Sequence, residues 1–226
     1  GRHVKKIHVL KAIQNTKSGP VGEGSIGAGT GTRALGFKGG IGTSSRLLPK
    51  EIGGFTVGVL VQTNFGGSLM INGAPVGREL KKSPFSSNIP YDGEEGSCMI
   101  VIATDAPLAN RNLKRMAERV SHAFGRVGAY SSNGSGDYAI IFSTYRPEYQ
   151  DDKMISSKEL KNSLMNGLFM ATVEATEEAI INSLFMAESI SSKYGKSQAL
   201  PIDETMKILK KYKALNWNNK LYPWEK

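Results

Sequence analysis

The chain has 226 residues, 39% hydrophobic and 22% charged, with a net charge of +9. That is enough for one sizeable core, short for two independent domains, and not the composition of a disordered segment. One cysteine excludes an internal disulfide and a cysteine metal knuckle, and no apolar run approaches the ~20 residues of a bilayer span.

The basic balance comes from scattered lysines and arginines, clustered at Lys5-Lys6, Lys81-Lys82 and Lys207 to Lys213. No aromatic residues interleave with them, so wet helix faces and loops are expected rather than a nucleic-acid or membrane surface. The chain opens "GRHVKKIHVLKAIQ", without methionine and already in a helical pattern. No signal peptide is visible, and an upstream part is expected to be missing.

Val4, Ile7, His8, Ala12 and Ile13 recur at helical spacing up to Gly19-Pro20. Pro20 to Leu48 is glycine-rich but punctuated by Ile26, Phe37, Ile41 and Leu47, which predicts short strands with tight connections. Phe55 to Asn64, "FTVGVLVQTN", is a β-branched strand. Phe65-Gly66-Gly67 is a turn, "SLMINGAPVG" a further strand ending near Pro75, and Lys81 to Gly96 a polar loop with Pro84 and Pro90. Ser97 to Thr104 is apolar throughout, as expected of a central strand covered on both faces.

Leu113, Met116, Val120 and Phe124 share a helical stripe between Ala109 and Phe124. "SSNGSGD", Ser131 to Asp137, is a turn cluster and "YAIIFST" another buried strand. Leu160 to Ala187 is a long helix, in one piece or in two that divide at Asn166-Gly167, and Pro201 opens a last helix to about Tyr212. The tail "NWNNKLYPWEK" has no period. Strands between helices predict an α/β layered protein with an antiparallel or mixed sheet.

Several chemistries are poorly supported. The glycine loop lacks both the dinucleotide fingerprint and a Gly-Lys-Ser/Thr, so its glycines read as close packing. Three scattered histidines, His3, His8 and His122, offer no metal set, and no G-x-S-x-G elbow is present. Neither a metal nor another cofactor is expected.

One junction is different. In "YDGEEGSCMIVIATDAPL" a flexible glycine is followed directly by a serine at the lip of a strand. A cut at Gly96–Ser97 would make Ser97 an N-terminal residue, whose α-amine (unperturbed pKa about 7.7–8.0) lies beside its own hydroxyl and can act as general base. Asn64 ends the "VQTN" strand with an amide donor suited to an oxyanion, and Ser135 and Asp137 in "NGSGD" can orient the amine. The plainer readings are a loop-to-strand junction, a turn asparagine and a capped turn. Cys98 as nucleophile, after a cut one residue later, is a further alternative.

Taken together, "GPVGEGSIGAGTGT", "GFKGGIGTSSR", "TVGVLVQTNFG", "GSCMIVIATDAPL", "NGSGDYAIIFST" and "VEATEEAIINSL" resemble the self-processing aminopeptidases, the family of the L-aminopeptidase/D-esterase/amidase and the β-peptidyl aminopeptidases. The likeness runs from about His3 to Tyr212. It implies a four-layer α/β/β/α sandwich, similar to N-terminal-nucleophile hydrolases but differently connected. It implies self-cleavage at Gly96–Ser97 within a single domain, giving a 1–96 portion and a 97–226 portion. It places the nucleophile on Ser97, the oxyanion amide on Asn64, and the serine and acidic pair on Ser135 and Asp137, where some members carry the longer glutamate.

The implied substrates are small peptides, amides or esters, with no cofactor, in homo-oligomers of processed pairs (a tetramer is expected). Apart from the resemblance, a cytoplasmic location is expected. The family carries more sequence ahead of Gly1, including part of the sheet and an active-site tyrosine. The chain is therefore expected to be either a fragment or a truncated product. The rival expectations are an amino-acid acetyltransferase of a related fold and a non-catalytic remnant.

Overall fold

The computed structural model describes residues 3–84, 96–149, 155–156, 158–193 and 195–215. The acidic part of the loop before Gly96 and the Asn216–Lys226 tail lie outside the described residues.

The helix α1 (Lys6–Gln14) comes first and buries none of its residues. A tight hairpin follows, β1 (Arg33–Ala34) and β2 (Phe37–Lys38), paired antiparallel. Its two turn residues, Leu35 and Gly36, both have positive φ (53° and 86°), which suits the right-handed twist of the flanking strands. Next come β3 (Ile41–Leu47), β4 (Thr56–Gln62), the short helix α2 (Val76–Glu79) and β5 (Met99–Thr104). Helices α3 (Asn110–Ala117) and α4 (Val120–Val127) lead to β6 (Tyr138–Ser143). The chain continues through a small ladder of β7 (Glu148–Tyr149) and β8 (Ile155–Ser156), then α5 (Met165–Phe185). A hairpin of β9 (Ile190–Ser192) and β10 (Gly195–Ser197) precedes α6 (Ile202–Lys211).

The central sheet has the order β3-β4-β5-β6. Its first two pairings are antiparallel and the third is parallel, so it is mixed, one of the two arrangements expected from strands between helices. The parallel pair needs a crossover, and α3 and α4 provide it.

Alternation along β4 and β5 turns Val57, Val59, Val61, Ile100 and Ile102 to one face, where all are buried. Helix α5 covers that face with small side chains, Ala171, Ala175 and Ala179, and with buried Thr172 and Thr176, whose hydroxyls donate to Leu168 O and Thr172 O, each at 2.7 Å. The approach is close because β3 offers a glycine: a Cβ on Gly42 would stand 1.9 Å from Ala179 O. Met116, Phe124 and Val127 from α3 and α4 close the same core.

Several expectations are corrected. "SLMINGAPVG" is not a strand; it makes an isolated Ile71–Ala74 bridge over Asn72-Gly73, both at positive φ, and then enters α2. Three positions at the turn favour left-handed or φ-locked residues, and turn chemistry overrides the apolar run. The stripe from Leu113 to Phe124 is shared by two helices that meet at Glu118-Arg119. Helix α5 runs unbroken through Gly167; a Cβ there would meet Ile52 Cδ1 at 2.9 Å, so that glycine serves packing.

β5 is central but not buried on both faces, since Met99 is 40% exposed. β6 is an edge strand on which Tyr138, Ile140 and Phe142 are exposed at 62%, 56% and 44%. Continuous apolar sequence had signalled two covered faces; among the described residues the helical layer covers one.

Candidate active site

Register alone brings the expected residues together. β4 runs antiparallel to β5 with Gln62 opposite Met99, so Asn64, two residues past β4, faces Ser97, two residues before β5 begins. β5 runs parallel to β6 with Met99 beside Tyr138, so Ser97 is level with Gly136 and Cys98 with Asp137. Residues 33 apart and 40 apart in sequence thus meet at one end of the sheet, where three chain segments either leave or enter it.

The hydrogen bonds confirm the juxtaposition. Ser97 N–H donates to Asn64 O at 2.5 Å, and Tyr138 N–H to Cys98 O at 2.9 Å. Gly136 N–H lies 3.2 Å from both Ser97 Oγ and Gly96 O. Ser97 Oγ donates to the Gly96 carbonyl oxygen at 2.7 Å. Asp137 Oδ1 accepts from the Cys98 N–H at 3.0 Å, and the Ser135 hydroxyl donates to both Asp137 oxygens at 3.2 and 3.3 Å. The carboxylate is therefore anchored one residue from Ser97 despite its short side chain. Ser97 is half-buried, Gly96 fully so.

Close contacts require a glycine at 96 and leave little room for a side chain at 136. A Cβ on Gly96 would stand 2.3 Å from Asn64 O and 2.8 Å from Phe65 Cα. A Cβ on Gly136 would crowd the Tyr138 ring at 3.1 Å and lie 3.6 Å from Ser97 Oγ. A tight pocket beside Ser135 and Asp137 is lined by Phe65, Phe124 and Ala129, with the two rings 5.1 Å apart and tilted.

Asn64 is held by a residue that the sequence did not single out: Arg33 N–H donates to Asn64 Oδ1 at 3.1 Å. An N–H can meet only an acceptor, so this bond settles which end of the amide is which. Nδ2 points the other way, and among the described residues nothing accepts from it. The available signal was that Arg33 opens a hairpin; that the hairpin lies against Phe65, with Leu35 N–H on Phe65 O at 2.8 Å, is a tertiary fact.

Cys98 is fully buried, and burial together with the Asp137 charge pushes its thiol far above the ordinary range. A thiol held neutral in the core is a poor nucleophile, which weighs against Cys98 and for Ser97. No group of histidine, cysteine or carboxylate side chains among the described residues is arranged to hold a metal ion. No helix among them is long and apolar enough to cross a membrane.

With this geometry in hand, comparison with known proteins is specific. The model of peptidase family S58 matches residues 1–198. The chain is 42% identical to the β-peptidyl aminopeptidase BapA of Sphingosinicella microcystinivorans over 95% of its own length and 58% of that protein. It is 38% identical to BapA of Sphingosinicella xenopeptidilytica, over 93% and 56%. Among solved structures, the PH0078 protein of Pyrococcus horikoshii OT3 superposes with a TM-score of 0.82 at 44% identity, over 94% of this chain and 58% of that one. The L-aminopeptidase D-Ala-esterase/amidase of Ochrobactrum anthropi, described as a prototype serine aminopeptidase with a variant N-terminal-nucleophile hydrolase fold, superposes at 0.81 with 35% identity, over 94% and 59%.

The mixed sheet with its helical layer thus matches a variant of the N-terminal-nucleophile hydrolase fold. The chain belongs to peptidase family S58. It spans somewhat over half the length of the curated relatives it matches.

Proposed function

We propose that the protein is a self-activating serine aminopeptidase that hydrolyses N-terminal residues from small peptides, amides or esters. The observation that carries this reading is the meeting of Asn64, Ser97, Ser135 and Asp137 at one end of the sheet, with Ser97 Oγ 2.7 Å from the Gly96 carbonyl oxygen.

In the uncut chain the Ser97 nitrogen is an amide and cannot act as a base. Rotation about the Ser97 Cα–Cβ bond turns Oγ from the carbonyl oxygen toward the carbonyl carbon. Attack forms the Oγ–C bond as the hydroxyl loses its proton. The negative charge develops on Gly96 O, which already faces the Gly136 N–H. Collapse breaks the Gly96–Ser97 C–N bond, and the nitrogen takes up a proton. Water then hydrolyses the ester, leaving a Gly96 carboxylate and a free Ser97 amine.

In turnover the roles recur with a new acyl donor. The Ser97 amine takes the hydroxyl proton. Oγ attacks the substrate carbonyl, Asn64 Nδ2 donates to the oxyanion, and the leaving amine departs protonated. Ser135 and Asp137 hold the amine and pass its proton. Water releases the acid from Ser97. The chemistry that the relatives' names state, cleavage of β-peptidyl and of L-aminoacyl or D-alanyl ester and amide bonds, is the substrate range to test first.

The fold reading extends in the same way. The exposed face carrying Met99, Tyr138, Ile140 and Phe142 suits a second sheet packed upon it, completing an α/β/β/α sandwich. Processed pairs would then assemble into oligomers.

The test is direct. Denaturing mass spectrometry of processed 226-residue chain gives pieces of 96 and 130 residues, and N-terminal sequencing of the second reads Ser-Cys-Met-Ile. Ser97→Ala stays whole and hydrolyses nothing. Cleavage at the same bond in Ser97→Ala would overturn the reading.

A further inference from the structure

We propose that Lys38 is a positioning residue for the Asn64 amide, acting through the single peptide unit between Thr32 and Arg33; the inference deepens the hydrolase reading and rests on it.

Lys38 is 1% exposed, a degree of burial that lysine rarely shows without a partner of opposite charge. No carboxylate is bonded to it among the described residues. Its Nζ instead donates to three backbone carbonyls: Gly29 O at 2.6 Å, Thr32 O at 2.8 Å and Gly39 O at 2.6 Å. All three ammonium donors are used. Burial pulls the ammonium below the ordinary lysine range, while the three acceptors favour the charged form.

A neutral or apolar side chain would close this turn without desolvating a charge, which is costly. The presence of an ammonium here therefore asks for a reason beyond holding the loop. One of the three carbonyls supplies it. Thr32 C=O and Arg33 N–H belong to the same peptide, and that N–H is the donor to Asn64 Oδ1 at 3.1 Å. A cation on an amide oxygen draws electron density from the nitrogen, so the N–H becomes a stronger donor. Gly39 N–H also donates to Thr32 O at 3.1 Å, fixing the peptide plane.

The chain of atoms runs Nζ, Thr32 O, Arg33 N, Asn64 Oδ1, and it leaves Nδ2 aimed away as the oxyanion donor. Without the ammonium, the Arg33 N–H is weaker and its plane less constrained. The Asn64 amide then loses the bond that decides which of its ends faces the substrate.

The experiment uses protein from the whole reading frame and L-alanyl p-nitroanilide as probe, with rates normalised to the processed fraction. Lys38→Met is expected to lower kcat about tenfold or more, less than loss of the donor itself, with KM changed by no more than about twofold. In an Asn64→Ala background the same substitution adds no further loss to the residual rate, because the group it orients is gone. Lys38→Arg, which keeps a cation, recovers part of kcat. An equal loss in both backgrounds, a loss confined to KM, or no loss would overturn the relay.

Should Lys38→Met fail to fold, the wild type answers by itself. The Arg33 amide and Asn64 side-chain 15N resonances are expected to move together as the Lys38 ammonium titrates; resonances that ignore that titration overturn the proposal. Turnover surviving in Ser97→Ala would defeat the hydrolase reading and the relay with it. Dead Ser97→Ala and impaired Asn64→Ala beside a fully active Lys38→Met would defeat the relay alone.

Discussion

Ser97 is surrounded by groups that fit it only if Gly96 stays a glycine. Gly96→Ala drives a methyl to 2.3 Å from Asn64 O, so the Gly96 carbonyl of the bond proposed to be cut and the Asn64 loop must part. The expected outcome is self-cleavage slowed by about 10²-fold or more, since small misplacements of reacting atoms cost that much, read as the time course of the two fragments. Asn64→Ala should lower kcat by about 10²–10³ with the fragments still forming, the loss typical of one oxyanion donor, and a stopped-flow or plate assay of an activated amide checks it. The second half of that expectation separates the two reactions. The Gly96 oxygen of the uncut chain faces the Gly136 N–H and not Asn64 Nδ2.

At the scale of elements, α5 lies unusually close to β3 because Gly42 has no side chain. Gly42→Ala would set a Cβ 1.9 Å from Ala179 O. The helix must lift, and a loss of about 1–3 kcal/mol in unfolding free energy is expected by denaturant titration. The same helix carries an ionic cluster. Arg46 pairs with Glu174 at 3.2 Å and Glu178 at 2.5 Å, and Arg126 with Glu177 at 2.7 Å.

Burial, the larger effect, raises the Glu177 carboxyl above the ordinary carboxylate value even though Arg126 opposes it. Between its unfolded value and that raised value the folded state binds more protons than the unfolded chain, so stability falls as pH rises through this window. Glu177→Gln should remove that fall, which a series of thermal melts between acid and neutral pH would show. A mutant that keeps the full slope would mean another group is responsible.

For the whole molecule, the issue is the uncovered face of the sheet. Tyr138, Ile140 and Phe142 point outward from an edge strand with Met99 beside them. Ile140→Lys is expected to change the stability of the 226-residue chain by no more than about 0.5 kcal/mol, as an exposed site should. In a chain extended to the length of its relatives, if a second sheet packs on this face, the same change should cost several kcal/mol, the penalty of an unpaired buried charge. Parallel thermal melts of the two forms decide it. Equal, small shifts in both would leave the sandwich without support.

The sequence was enough to place the strands at Phe55–Asn64 and Ser97–Thr104, because β-branched residues and continuous apolar runs leave few alternatives. It was also enough to mark Gly96–Ser97, Asn64 and "NGSGD" as places where chemistry-bearing residues sit at strand ends. Each such signal was local, and each had a plainer reading as turn or cap. Only the pairing register, Gln62 with Met99 and Met99 with Tyr138, brings three ordinary strand ends together as one candidate site.

Register is a property of two strands at once. It depends on which faces are buried against α5, and no single segment encodes it. The same reasoning explains what was misread. β6 looked buried because its residues are apolar, but burial depends on what is packed above the strand. Lys38 carried no signal, and Arg33 showed only that it opens a hairpin. A lysine's three carbonyls and an arginine's backbone N–H become part of a site only when a hairpin folds against the end of β4, and that contact exists in three dimensions alone.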